Sequence, residues 1–467
     1  MNQLRNEASE PGALGDIEQG KTGMGLQERL RRLTGEEKAA EGTTPADRQA
    51  KKNELQKRLD ALLLHRPVVP GGKVIPHRQR RNGPALEDLL SGCEEVNRLG
   101  SYFKIELRRE GTECHGSRKF SELERLNMEA AALLADDARL SAFDSRKALF
   151  LDTETTGLSG GTGTLAFLVG LGWFDEEGRF VVRQLFARNF AEERAVLAAL
   201  AETASSKRYL ISFNGKAFDT NLLATRYILN KMENPLTALP HLDLLHPARR
   251  LFSHRIENSR LITLEEKLLG FYREGDLPGS EVPLRYFNWL RSSNPYPMLD
   301  VFRHNGLDIT ALAALTVHLT EIFDSDGGSP HYASADFCAA ARLCQDRGRP
   351  AEACSLLENL SRSSPQKATL EARQSLSLIY KRSSHWEKAV EIWEDLLKDN
   401  PENLFAVEEL AKWLEHRERD FESAFRLVDN MMKKVPGLPE QEKEAWLHRH
   451  SRLQGRCRRE HYRRSHG

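Results

Sequence analysis

Ala148-Leu149-Phe150-Leu151-Asp152-Thr153-Glu154-Thr155-Thr156-Gly157-Leu158 is the stretch on which the fold turns. Its apolar opening predicts a buried strand, and two acids one residue apart follow. Residues i and i+2 of a strand project to the same face, so Asp152 and Glu154 point together. Two like charges at the end of a buried strand are costly unless a cation offsets them. A hard divalent ion such as Mg²⁺ or Mn²⁺, which prefers oxygen ligands, is the simplest offset. An isolated Asp-x-Glu would read as surface acids or a cap; the continuation into Thr-Thr-Gly-Leu is rarer.

Outward from this strand, apolar runs and amphipathic stretches alternate from about 147 to 325. Strands are predicted at 148–152, Leu165–Trp173, Phe180–Phe186, Leu210–Phe213 and His241–Leu245. Helices are predicted over Glu192–Ala204, Phe218–Leu229, Leu264–Leu269 and Asp308–Ile322. Asp175-Glu176-Glu177-Gly178 reads as a hairpin turn between the second and third strands. A meander followed by alternating helices and strands gives a mixed sheet flanked by helices, an α/β layer domain over 147–325. Residues 86–146 are a structured lead-in, with a strand at Tyr102–Leu107 and helical spacing through Leu123, Leu126, Ala130, Leu133 and Leu134. Residues 1–85 mix both charge signs and are broken by Pro67, Pro70, Gly71, Gly72 and Pro76; they read as a disordered arm. The basic cluster His77-Arg78-Gln79-Arg80-Arg81 reads as a solvated linker in preference to a nucleic-acid contact.

The 467 residues hold 68 Lys+Arg and 68 Asp+Glu, a formal net charge of zero. A globally basic nucleic-acid wrapper is excluded, and a local basic groove is not. Six cysteines without a Cys-x-x-Cys pair read as free thiols in a reducing compartment. No apolar run nears the roughly 20 residues needed to span a membrane. The polar start Met1–Glu7 has no signal-peptide core. A soluble, cytoplasmic chain without a membrane partner is expected.

The C-terminal third is repetitive. Arg349-Pro350-Ala351-Glu352-Ala353 aligns with His385-Trp386-Glu387-Lys388-Ala389, 36 residues on, and with Asp420-Phe421-Glu422-Ser423-Ala424, 35 further. Each copy closes at a proline: Pro365, Pro401, Pro436. A small residue packing helix on helix and a closing proline, at this period, resembles the tetratricopeptide-repeat family over about 333–440. The resemblance implies an all-α array that binds a protein or peptide partner, with a structural brace as the plainer use. Residues 441–467 form a basic tail with six arginines beyond Ser451, open to reading as a nucleic-acid contact or a solvated end.

One carboxylate pair does little chemistry. In-line hydrolysis of a phosphodiester calls for two metals about 3.5–4 Å apart, held by acids from several elements. Two further segments offer them. In Ile211-Ser212-Phe213-Asn214-Gly215-Lys216-Ala217-Phe218-Asp219, a buried strand enters an Asn-Gly turn and Asp219 opens a helix. In Phe302-Arg303-His304-Asn305-Gly306-Leu307-Asp308, the last acid lies on or beside a helix with an apolar face. Taken alone, each acid also fits a helix cap or an exposed position. Softer candidates are the glycine-rich Gly160–Gly163 loop, Asp243, and the cluster His246, Arg249, Arg250, His254 and Arg255 as phosphate contacts. Phe213 and Phe218 read as core before they read as base-stacking platforms.

Together the three segments resemble the motifs of the DEDD exonuclease superfamily: Asp152-x-Glu154 first, Asn214-Gly215-x-x-Phe218-Asp219 second, Asp308 third. The stretch Leu149–Trp173 looks most like the YprB-like ribonuclease H-like proteins. The resemblance covers about 100–325. It implies an RNase H-like fold and hydrolysis of DNA or RNA, with 3′→5′ direction by analogy. It also implies two Mg²⁺ or Mn²⁺ ions on Asp152, Glu154, Asp219 and Asp308. Thr155, Asn214, Gly215, Phe218 and Asn305 fall on the substrate side. One departure stands out: the position four before Asp308, where the superfamily has Tyr, holds His304. Its imidazole can serve as general base near neutral pH. A rival reading is an inactive RNase H-like scaffold that binds nucleic acid or protein.

Overall fold

The computed structural model describes residues 84–157, 163–325, 327–363, 369–434 and 440–466. The N-terminal arm with its basic cluster, Gly160–Thr162 of the glycine-rich loop, Pro365 and Pro436 lie outside them.

Seven strands form the main sheet: β1 (Gly92–Asn97), β2 (Gly100–Arg109), β5 (Ala148–Thr155), β6 (Ala166–Phe174), β7 (Phe180–Phe186), β8 (Tyr209–Ser212) and β9 (His241–Asp243). A two-residue hairpin, β3 (Cys114–His115) and β4 (Arg118–Lys119), stands apart. The order is β1-β2-β7-β6-β5-β8-β9. Pairings from β1 to β5 are antiparallel, and β5-β8 and β8-β9 are parallel. This is the mixed α/β sheet expected from the pattern, and all five predicted strands of 147–325 are present. The lead-in adds the β1-β2 hairpin to the same sheet through β7.

Helices of eight residues or more are numbered α1 (Met128–Ala135), α2 (Glu193–Ala204), α3 (Asp219–Leu229), α4 (Leu245–Phe252), α5 (Val282–Ser292) and α6 (Tyr296–Glu321). Leu149, Leu151, Val169, Leu171 and Leu185 bury one sheet face under α2 and α3. The long helix α6 covers the other face. It begins at Tyr296, twelve residues before the helix expected from Asp308, because Asn305-Gly306 does not break it. A mid-helix glycine costs only about 1 kcal/mol, and packing outweighs that. The packing is specific: a Cβ at Gly172 would meet Ile309 at 2.6 Å, so α6 sinks into a trough left by two glycines of β6, 170 and 172.

The rest is helical: α7 (Ser334–Asp346), α8 (Pro350–Ser363), α9 (Leu370–Arg382), α10 (Trp386–Asp399), α11 (Leu404–Trp413), α12 (Phe421–Lys434) and α13 (Glu440–His466). The repeated small residues Ala353, Ala389 and Ala424 are fully buried, which explains their recurrence: any larger side chain would hold the helices apart. The basic tail is helix α13, and Arg452 and Arg456 turn inward to the buried Glu415 at 2.7 and 3.7 Å.

The array is fused to the sheet domain. Leu251 and Phe252 of α4 share one core with Phe337, Ala340 and Ala341 of α7. The buried Asp336 takes His254 at 2.9 Å and Arg255 at 2.5 Å, and Arg250 lies 3.5 Å from Asp346. Three of the five basic residues considered for phosphate contact are therefore spent on the joint. A chain ended after Ser325 would expose the apolar face of α4. Thermal unfolding and size exclusion should show it aggregated, or melting lower by about 5 °C or more; a monomer of unchanged melting temperature contradicts the shared core.

Candidate active site

Asp152 and Glu154 leave β5 on the face that α6 covers. In register across three strands, Asp152 pairs with Gly170 and Gly170 with Gln184. Side chains directly opposite share a face, so the row reads acid, gap, amide. Asn305 of α6, fully buried, fills the gap. Its Nδ2 donates to Asp152 Oδ2 at 2.8 Å, and its Oδ1 accepts from Gln184 Nε2 at 2.9 Å. Gln184 also donates to the carbonyl of Phe302 at 2.8 Å. Asn305, expected on the substrate side, is buried and bonded to Asp152.

Asp219 opens α3, and Thr153 Oγ1 donates to its Oδ1 at 2.5 Å. The turn before it is built on Asp243, which caps it and whose charge also reaches Asp219. Asp243 accepts from the amides of Asn214 at 2.7 Å and Lys216 at 3.0 Å. Asn214 sits at φ +62°, a conformation Asn tolerates better than most residues. Gly215 is buried, and a Cβ there would lie 2.3 Å from Ser212 Oγ, so its role is to close this turn.

His304 and Asp308 lie one turn apart on α6 and face the β5 acids together. His304 Nε2 is 3.6 Å from Asp308 Oδ2 and 4.0 Å from Glu154 Oε1. Ligand atoms of Glu154, His304 and Asp308 all lie within 4.8 Å of one another. His304 Nδ1 is 2.9 Å from Asp276 Oδ1. Asp308 Oδ1 is 2.6 Å from Arg273 Nη2. Arg273 is buried and also meets Glu265 at 2.6 Å and Asp276 at 3.1 Å. Arg273 and Asp276 escaped the sequence reading because Phe271–Asp276 has no periodicity to mark it. Gln184 did leave a signal: a lone amide at an inward position of an apolar strand.

The electrostatics follow from crowding. Burial pushes Asp152 well up, and the charges of Asp308, Glu154 and Asp219 add to it. Burial raises Glu154 to about 8, helped by Asp308 and Asp219 and opposed by His304. Burial takes Asp219 to about 6 against the hydrogen bond from Thr153. For His304, burial disfavours the charged ring, but Asp308, Glu154 and Asp276 outweigh it and raise the imidazole. Among the described residues no hydrogen bond reaches the buried Glu154 carboxylate. An oxygen-rich, mutually repelling donor set fits a divalent cation.

A cleft of about 660 Å³ leads away from Asp152 and Asp219, lined by Thr155, Asn214, Phe218, Asn221 and Thr225 among others. Phe218, read first as core, is 57% exposed on its wall.

A family model of the RNase H superfamily matches residues 149–320. The uncharacterized protein YprB of Bacillus subtilis (strain 168) is 32% identical over 343 residues, 73% of this chain and 82% of YprB. This chain belongs to the YprB family of RNase H-like proteins. The superfamily match covers β5 to α6, the span that carries every acid of the site.

Two outcomes follow for the YprB-like centre. Gly170→Ala would drive a Cβ to 2.4 Å from Asn305 Oδ1. Thermal denaturation should show a loss of about 1–3 kcal/mol, with weaker Mn²⁺ binding by calorimetry; an unchanged variant would mean that α6 does not need the trough. Glu154 and Asp219 have folded-state pKa values of about 8 and 6, above their ordinary 4.5 and 3.8. The metal-free fold therefore holds protons that the unfolded chain has released. Its stability should fall as pH rises from about 4 to 8 in EDTA, and saturating Mg²⁺ or Mn²⁺ should flatten that slope.

Proposed function

We propose that the sheet domain is a metal-dependent nuclease of DEDD type, hydrolysing phosphodiester bonds of DNA or RNA from the 3′ end with two ions. The observation that carries this reading is the convergence of acids from three separate sequence segments: Asp308 and Asp219 lie near enough to the β5 acids for their charges to help raise Asp152. Asp152, Glu154, Asp219 and Asp308 would hold Mg²⁺ or Mn²⁺, and His304 joins them at the water side. Bound there, such ions lower the pKa of the attacking water and neutralise the leaving oxygen. Asn305 keeps one oxygen of Asp152 turned toward Gln184's row, and Thr153 fixes the rotamer of Asp219. The cleft would seat the terminal nucleotide, with Phe218 as an apolar wall and Thr155 and Asn214 as polar contacts. The helical array, read as tetratricopeptide-type, would bring a protein or peptide partner to the nuclease.

One observation favours a second reading, an inactive scaffold that binds nucleic acid or protein. Arg273 already neutralises one oxygen of Asp308 at 2.6 Å, where an ion would otherwise act. End-labelled single-stranded DNA and RNA, given with Mg²⁺ or Mn²⁺, separate the two. The nuclease reading expects cleavage by wild type and a loss of about a thousandfold in Asp152→Asn and Asp308→Asn. Wild type no faster than Asp152→Asn on every substrate would leave the scaffold. Comparing 5′ and 3′ labels reads the polarity.

A further inference from the structure

We propose that His304 Nε2 is itself an inner ligand of one ion, and that this nitrogen biases the centre toward Mn²⁺ over Mg²⁺. The inference rests on the nuclease reading and narrows it. The ring cannot turn freely. An ionised Asp276 can only accept, so the 2.9 Å contact makes Nδ1 the donor; in the neutral ring, the form a metal ion binds, that leaves the Nε2 lone pair facing Glu154 and Asp308. Metal-bound imidazoles are held in this way, by a carboxylate behind the other ring nitrogen. Asp276 is itself fixed by Arg273 at 3.1 Å, and Arg273 is 1% exposed, so the support behind the ring is rigid.

The nitrogen matters for metal choice. Carboxylate oxygens suit Mg²⁺ and Mn²⁺ alike. Mg²⁺ prefers six oxygens, many of them water, and gains little from imidazole. First-row transition ions gain from it, and Mn²⁺ among them also suits carboxylate and water oxygens. A committed Nε2 takes no proton, so the general-base role expected four residues before Asp308 passes to another acceptor. Neighbouring Glu154, at 4.0 Å and without a hydrogen bond, is the second donor to the same ion.

Calorimetry and pulsed EPR on the full chain test this. Wild type should bind Mn²⁺ about tenfold or more tightly than Mg²⁺, and the bound Mn²⁺ should show nitrogen hyperfine coupling. His304→Gln should abolish the coupling and weaken Mn²⁺ about 10–100-fold, while Mg²⁺ affinity moves by less than about threefold. Asp276→Ala keeps the imidazole but frees the ring, and should weaken coupling and Mn²⁺ affinity in the same direction. That second variant keeps the test alive if His304→Gln does not fold. Bound Mn²⁺ without nitrogen coupling in wild type overturns the ligand assignment and spares the nuclease reading. Mn²⁺ binding that is unchanged in Asp152→Asn with Glu154→Gln overturns the nuclease reading itself.

Discussion

The row Asp152, Gly170, Gln184 and the single side chain that fills it, Asn305, set the rest of the structure. A helix can approach a sheet this closely only where the sheet has no side chains in the way. Gly170 and Gly172 provide that gap, and Asn305 and Ile309, one helical turn apart, occupy it. Once those two are seated, the rotation and height of α6 are fixed. His304 and Asp308, each one residue earlier on the same helix, then face Glu154 with no freedom left in the backbone. The geometry of the acidic cluster is thus a by-product of a packing constraint, and the amide at its centre serves both ends: it orients Asp152 and locks the helix.

That arrangement explains which parts of the site were legible in the sequence. Asp152, Glu154, Asp219 and Asp308 announce themselves because each ends or begins a regular element, where pattern and charge contrast. The sheet was legible for the same reason: its strands are short apolar runs between turns. The burial of Asn305 was not legible, because only the tertiary gap at Gly170 makes a core position of it. Asp276 and Arg273 were illegible for a different reason. They lie in a stretch without period, and their importance comes from burial, which local sequence does not encode. The paired glycines of β6 were visible as letters, yet a strand glycine signals a close approach without naming the partner.

The same logic separates the basic residues. Counting arginines suggested phosphate contacts after β9 and at the C-terminus. In the fold, Arg255 meets Asp336 and Arg452 meets Glu415, both acids fully buried. A buried carboxylate needs a cation nearby, and removing that cation leaves an uncompensated charge. These arginines therefore hold the array to the sheet and close its last helix. Charge clusters carry binding information only after the buried partners have been subtracted.

Arg273 deserves the opposite accounting. It sits among three acids, Glu265, Asp276 and Asp308, so its removal would leave several buried negative charges beside an already repelling centre. Glu265 passes the network on to His115 of the β3–β4 hairpin at 2.7 Å. The lead-in thereby touches the site from behind, through charge and not through substrate. With one fixed guanidinium inside the carboxylate cluster, the fold tolerates the acids before any ion arrives. A cation that binds then has to compete with Arg273 for Asp308 but meets no such competitor at Glu154.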